Sequence, residues 1–499
     1  MSLTETISLS LKAKLPAGLT RDSLKARVFR GGVWMGAGSL TEQVFRFTRN
    51  MVLTRLLAPE AFGIMAIIQS TTAIVQCLTE VGVKEGLIQN PNGDKEEYID
   101  AAWWLAMLRS LSIYVILFAA APFIAKFYGN VELSKLLRVA VSGLMFEGAI
   151  STKAYVALKQ MKFRRWAIVN HGGAICGVLT ALGLSYFIRD VWALVLGLGM
   201  ESVGRCVLSY IVCPYLPPLR WHGKAMRDLL HFSRGVFGMP LLNFIFMRAD
   251  VFVLGKLYSP TDLGLYAMAI YLVQTPTSFI VNVLAQTLMP TFAHVQEERE
   301  RMNRILLQVT SAIFILGMPA LVFLVFSGHS LLTLVYGQRY GAGSTAMIVA
   351  AVIALLNTAN NQITTLFYSK GMPQLHRRCV AVMAVMMVLL VYPSARYFGM
   401  VGGQLAALAC IIVGYLFQIE RIRHVTGLKL SDYRKSVAIG SVLSLSGVAV
   451  YLLFRWIGSS TRPIPNVLLG ILICLLTYGL AYSVIARGRG RGTSSVFEW

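Results

Sequence analysis

The chain has 499 residues, of which 56% are hydrophobic and 14% charged, against roughly 45–50% and 25% in an ordinary soluble domain. With a mean hydropathy of +0.63, this excludes a soluble enzyme. The 46 Lys and Arg against 23 Asp and Glu leave a formal charge of +23. These basic residues lie mostly between apolar segments, where the positive-inside rule accounts for them, so no nucleic-acid partner is expected.

Read in chain order, residues 1–30 form a basic N-terminal segment. Lys12, Lys14, Arg21, Lys25 and Arg27 occur there without a continuous apolar core, so no cleavable signal peptide is expected. Apolar runs of spanning length then follow near 31–55, 61–82, 101–125, 135–157, 166–188, 191–215, 232–256, 263–291, 304–327, 341–368, 379–398, 400–419, 435–456 and 466–486. The expected class is an all-α integral membrane protein of about fourteen transmembrane helices. With the connections assigned alternately to two sides, Lys and Arg favour the N-terminal side by about three to one, which places both termini in the cytoplasm. The seven cysteines fall in or beside the spans with no paired spacing. They therefore predict neither a disulfide frame nor a metal site, and no cofactor motif is present.

An internal repeat divides the chain. Arg55-Leu-Leu-Ala-Pro59-Glu-Ala-Phe-Gly63-Ile-Met-Ala66 recurs as Lys256-Leu-Tyr-Ser-Pro260-Thr-Asp-Leu-Gly264-Leu-Tyr-Ala267, an offset of 201. Phe127-Tyr128-Gly129 is echoed by Val335-Tyr336-Gly337, and Lys159-Gln-Met161 by Lys370-Gly-Met372. Six spans separate the copies, so both halves have the same orientation and are related by an axis along the membrane normal. The expected organisation is an N-lobe over 31–216 and a C-lobe over 217–424, pseudo-symmetric six-helix units around a central cavity. Two additional spans over 425–487 and a cytoplasmic tail over 488–499 follow. Pro59 and Pro260 mark tight turns, whereas Pro240 and Pro276 are expected inside spans 7 and 8 as static bends.

The informative residues are charges that a bilayer excludes at roughly 2.5–3.5 kcal/mol each. Glu42, Arg46 and Arg49 in span 1 are spaced i, i+4, i+7, which puts them on one helical face. Glu42 and Arg46 have the favourable order for an ion pair, leaving Arg49 to find a partner elsewhere. The repeat offset carries the stripe onto Asn243, Met247 and Asp250 in span 7, with Arg248 beside them, and Arg49 with Asp250 is the natural cross-lobe pair. Arg109, Glu147, Lys153 and the i, i+4 pair Glu201 with Arg205 add further buried charge. Asn357 and Asn361 share one face of span 10, and His171 with Asn170 reads as a helix-packing or interfacial histidine. Arg46, Arg49, Arg248, Asp250, Arg109, Asn243, Asn357 and Asn361 are thus the substrate-path residues to test. Glu42, Glu147, Glu201 and Arg205 are those for ion coupling or lumen ion pairs. A wet cleft walled by arginine attracts phosphate oxygens, and a lumen carboxylate offers exchange of a proton or sodium ion.

The duplicated unit, the motif Thr-Arg-Leu-Leu-Ala-Pro-Glu-Ala-Phe-Gly over 54–63, and Arg-Ala-Asp-Val-Phe-Val-Leu-Gly-Lys-Leu over 248–257 leading into Leu-Gly-Leu-Tyr-Ala-Met-Ala over 263–269 resemble a known group. This is the polysaccharide-transport branch of the multidrug/oligosaccharidyl-lipid/polysaccharide exporter superfamily, and most of residues 30–430 resembles its Wzx-type flippases. The resemblance implies two lobes around a cationic cavity open alternately to each side. It also implies transfer of an undecaprenyl-pyrophosphate-linked repeat unit across the bacterial inner membrane, with membrane lipids, H+ or Na+, and a polysaccharide polymerase and co-polymerase as implied partners. Two readings compete. A cation-coupled multidrug antiporter calls for carboxylates and aromatics rather than arginines. A membrane-embedded polymerase or ligase calls for a long periplasmic loop, whereas the connections on that side are short.

Overall fold

Proline and glycine punctuation sets where the helices start. The computed structural model describes residues 24–79, 82–218, 220, 222–236, 238–438, 441, 442, 448 and 463–489. Its regular structure is all helical, with no strands among those residues. The first repeat unit comprises α1 (Leu24–Leu56), α2 (Pro59–Leu78), α3 (Val83–Gln89), α4 (Glu96–Tyr128), α5 (Glu132–Gly148), α6 (Lys153–Lys159), α7 (Phe163–Ile188) and α8 (Val191–Val212). After α9 (Gly223–Val236), the second unit runs through α10 (Met239–Leu257), α11 (Pro260–His294), α12 (Arg299–Tyr336), α13 (Ser344–Ser369), α14 (Pro373–Phe398) and α15 (Val401–Thr426). The last described helix is α16 (Pro463–Arg489). Nine of the described helices are long and apolar enough to cross a bilayer.

The order in which the helices pair repeats between the two units. In the first unit α1 packs on α7, α7 on α8, α5 on α8 and α4 on α5. In the second, α10 packs on α14, α14 on α15, α13 on α15 and α12 on α13. The duplication seen in the sequence is therefore a duplication of packing, in two lobes. Both copies of the turn begin a helix with proline near its first position, where the missing N–H would have been unpaired in any case. Ser259 additionally caps α11 by accepting from Asp262 N at 3.1 Å, a bond with no side-chain counterpart at Ala58.

Several expected spans end or break differently. Span 2 stops at Leu78, span 4 is interrupted between α5 and α6, and span 7 is split into α9 and α10. Pro240 lies at the start of α10 rather than inside a span, because Gly238 at φ +93° has already ended the preceding segment. Pro276 does lie inside its helix. The expected span 13 falls largely outside the described residues, as do residues 1–23 and 490–499.

Among the described residues the lobes share a core at one end. There, buried Leu53, Leu57 and Phe62 join Leu254, Leu263 and Tyr336 in one apolar cluster. At the other end, where α3, α6 and α9 lie, each lobe has its own core: Val83, Leu87 and Leu229 in one, Phe292, Phe314 and Phe367 in the other. The shared end is closed by the repeat itself. A Cβ on Gly63 would lie 1.9 Å from the Pro260 carbonyl oxygen, and one on Gly264 1.8 Å from that of Pro59. Arg55 donates to the Leu334 carbonyl at 2.9 Å, and its repeat mate Lys256 donates to the Phe127 carbonyl of the opposite lobe. Four reciprocal contacts thus come from one duplicated sequence, and only glycine allows two helices to approach so closely.

The connection between the lobes is tied to the first. Tyr215 donates to Asp100 at 2.6 Å, Tyr98 to Asp228 at 2.8 Å and Trp104 to the Pro218 carbonyl at 3.3 Å. Burial against this Asp100 carboxylate pushes the Tyr215 phenol above its ordinary value, so the strap holds as a neutral donor at any physiological pH. Helix α16 packs on α12, with Ser327 donating to the Asn466 carbonyl at 3.1 Å.

Candidate functional site

Between the closed end and the separated cores, the facing helices of the two lobes enclose a polar chamber of about 200 Å³. The stripe on α1 supplies Arg46, Arg49 and Asn50; α10 supplies Arg248 and Asp250; α11 supplies Tyr266, Tyr271 and Gln274. The i, i+4, i+7 spacing places the α1 residues together as expected, and the repeat delivers α10 at matching depth from the other side.

The charges are not equivalent. Arg46 is paired twice, with Glu42 at 2.8 Å and with Glu201 at 2.5 Å. The same Glu201 oxygen accepts from Arg205 at 2.6 Å, and Arg205 reaches on to Glu147 at 3.4 Å. His171 closes the other end of this ladder against Glu42 at 2.6 Å. Glycines make the ladder possible: Gly38 accommodates the His171 ring, Gly173 the Arg205 stem and Gly177 the Glu201 stem, each leaving less than 3 Å for an added Cβ. Gly173→Val is expected to force α7 from α8 and break the ladder, lowering membrane-inserted protein severalfold on an immunoblot. Unchanged levels would mean that the helices repack at little cost.

Arg49 and Arg248 differ from Arg46. Among the described residues neither has a carboxylate within ion-pair distance, and Arg49 makes one bond, to the Asn50 amide oxygen at 3.1 Å. The expected Arg49–Asp250 pair does not form. Asp250 is instead buried and accepts from the Tyr266 hydroxyl and from Gln404 at 3.4 Å, so its charge is satisfied inside the C-lobe. A buried carboxylate takes the nearest fixed donors in preference to a long side chain across a cleft. Tyr266 and Gln404 were not singled out in the sequence; the legible signal was a lone amide, Gln404, in an apolar run.

Other expected path residues lie elsewhere. Arg109 lines a separate N-lobe cavity of about 280 Å³ together with Glu147 and Arg205, and its guanidinium donates to the Gln76 carbonyl at 2.9 Å. Asn361 donates to the Asn357 carbonyl at 2.9 Å, so that pair is turned along its own helix, not into the chamber. Asn243 is exposed, one turn before Met247 on the chamber-facing side of α10.

A larger apolar cavity of about 890 Å³ adjoins the polar one and shares two of its helices. On α1, Arg46, Arg49 and Asn50 face the polar space while Val44 and Phe47 face the apolar one. On α11, Tyr271 and Gln274 face the first and Leu272 and Pro276 the second. Phosphate oxygens suit the guanidinium-lined space, and hydrocarbon suits its neighbour.

A duplicated helical fold with an ionic chamber between its lobes defines a multi-pass membrane protein with a MurJ- and MATE-like fold. Among solved structures, a lipid II flippase MurJ in an inward closed conformation superposes with a TM-score of 0.77 at 13% identity, covering 92% of this chain and 100% of that one. Residues 52–345 match the family described as polysaccharide biosynthesis protein, and the chain belongs to that family. It is 22% identical over 437 residues to an uncharacterized membrane protein in the cps region of Klebsiella pneumoniae, covering 86% of this chain and 89% of that protein. It is also 22% identical over 425 residues to the teichuronic acid biosynthesis protein TuaB of Bacillus subtilis, covering 83% and 86%.

Proposed function

We propose that this protein is a flippase moving an undecaprenyl-pyrophosphate-linked oligosaccharide repeat unit from the cytoplasmic to the periplasmic leaflet, for exopolysaccharide or O-antigen assembly. The observation that carries this reading is the pair of carboxylate-free guanidiniums, Arg49 and Arg248, in a chamber whose walls turn directly into an apolar cavity. An anionic headgroup replaces the missing carboxylates, and its hydrocarbon tail has an apolar surface to follow. TuaB, which acts in teichuronic acid biosynthesis, and the lipid II flippase MurJ support the substrate class. The fixed cations and dipoles substitute for the water shell that a pyrophosphate loses on leaving the leaflet surface.

Alternating access follows from where the lobes touch. On the charge distribution along the chain, the shared core and the Gly63–Gly264 contact face the periplasm, and the separated cores face the cytoplasm. A chamber of about 200 Å³ is smaller than the roughly 300–1,000 Å³ of ordinary ligand sites, so a sugar-bearing headgroup enters only when the lobes separate further. On this reading the protein works in the bacterial inner membrane with cytoplasmic termini, beside a polymerase and co-polymerase that consume the flipped unit. Three chamber arginines weigh against an antiporter for cationic drugs.

The test is reconstitution into vesicles carrying a fluorescent undecaprenyl-pyrophosphate glycolipid, with an impermeant quencher added outside. The protected pool should empty faster than in protein-free vesicles, and a neutral glycolipid of equal sugar content should not flip faster. Equal acceleration of both lipids would remove the headgroup from the mechanism.

A further inference from the structure

The guanidiniums of the central chamber offer donors only, whereas a sugar hydroxyl both donates and accepts. A hydroxyl proton shut away from water without an acceptor is costly, so a chamber that closes over sugar needs acceptors not already committed. The charged ones are committed. Glu201 holds Arg46 at 2.5 Å and Arg205 at 2.6 Å, and Asp250 accepts from Tyr266 and Gln404. The Asn50 amide oxygen accepts from Arg49 at 3.1 Å. Among the polar side chains lining the chamber, three neutral ones remain: Gln69 on α2, and Tyr271 and Gln274 on α11. None of their side chains makes a hydrogen bond among the described residues, and both glutamines are exposed. Asn243 on α10, likewise exposed and without such a bond, lies one turn before the chamber-lining Met247.

These groups follow the guanidiniums in depth. Arg49 and Arg248 lie about 10–14 Å of helical rise from the ends of their helices at the closed end, Gln69 about 15 Å from Pro59, and Gln274 and Asn243 about 21 Å from Pro260 and Leu257. The amides thus lead from the arginines towards the end where the two cores separate. We propose that Gln69, Tyr271, Gln274 and Asn243 form a sugar subsite, which binds the neutral, hydroxyl-bearing residues next to the pyrophosphate and directs the glycan towards the separated cores. The proposal rests on the flippase reading for the anchoring anion. Each side-chain amide presents one carbonyl acceptor and two N–H donors, so it serves neighbouring ring hydroxyls in both senses. Gln69 belongs to one lobe and the other three to the second. A sugar between them is bonded from both sides, which makes closure of the lobes sensitive to the sugar as well as to the phosphate.

The experiment compares two fluorescent lipids in vesicles containing the full chain: undecaprenyl pyrophosphate bearing a neutral glucose disaccharide, and undecaprenyl pyrophosphate without sugar. The quantity read is the ratio of their flipping rates, which does not depend on how much protein inserts. Gln69→Leu and Gln274→Leu orphan no partner, and each should lower the ratio about fivefold, the equivalent of one hydrogen bond, with a further loss in the double variant. A ratio unchanged from wild type overturns the subsite. If wild type flips neither lipid, the flippase reading fails and binding decides the subsite by itself. The full chain in nanodiscs should then hold the lipid-free disaccharide 1-pyrophosphate more tightly than inorganic pyrophosphate, an advantage that the double variant loses. An advantage absent from wild type, or kept by the double variant, rejects it.

Discussion

Gly63→Leu is expected to reduce polymer export to background while the protein remains in the membrane at normal abundance. The Cβ alone would lie 1.9 Å from the Pro260 carbonyl oxygen, and backbone cannot retreat as a flexible side chain does. Each lobe packs through other pairings, so the cost falls on closing the gap between lobes and not on folding either one. Gly264→Leu should behave alike, since its Cβ meets the Pro59 carbonyl oxygen. Accessibility checks this directly. A cysteine at Ala66, which borders the chamber, should react faster with an impermeant maleimide added from the periplasmic side in the Gly63→Leu background. Wild-type export with unchanged labelling would show that the close approach is dispensable.

Arg49→Ala should also abolish export, for a different reason. A charge-assisted bond to a phosphate contributes about 1.5–3 kcal/mol, a loss of about tenfold to a hundredfold in headgroup affinity. Because no carboxylate holds Arg49 in the resting protein, removing it orphans no charge and leaves only the Asn50 amide oxygen without its donor, so stability should change little. Arg46→Ala is expected to cost protein stability as well, because Glu42 and Glu201 would both lose a cation. Charge reversal at Arg49 and Asp250 together should not restore activity, since Asp250 is engaged by Tyr266 and Gln404. Glycolipid flipping in vesicles and thermal melting in detergent separate the two effects. Flipping by Arg49→Ala at the wild-type rate would take Arg49 out of the path.

Much of this site was legible along the chain because its signals are local and periodic. The i, i+4, i+7 stripe of Glu42, Arg46 and Arg49 needs only the pitch of a helix to become one face. The Pro-x-x-x-Gly repeat needs only an even number of intervening spans to give two lobes of like orientation. Arg205 and Glu201 were legible as a pair, yet that their partners included Arg46 and Glu147, from helices far away in sequence, was not. His171 read as a packing residue because an isolated histidine in an apolar run carries no sign of what it faces.

Composition and hydropathy by themselves determined the membrane environment and the helical class, since a bilayer leaves an apolar chain few ways to satisfy its backbone, and the motif repeated at 55–66 and 256–267 gave the duplication. Which charges meet was decided by tertiary structure alone. Asp250 turned to Tyr266 and Gln404 instead of Arg49, Arg109 went to a separate cavity, and Gly63 met Pro260 across the lobes. Ion pairing inside a protein depends on distances of a few ångströms between helices, and those distances are set by the glycines and side chains packed between them.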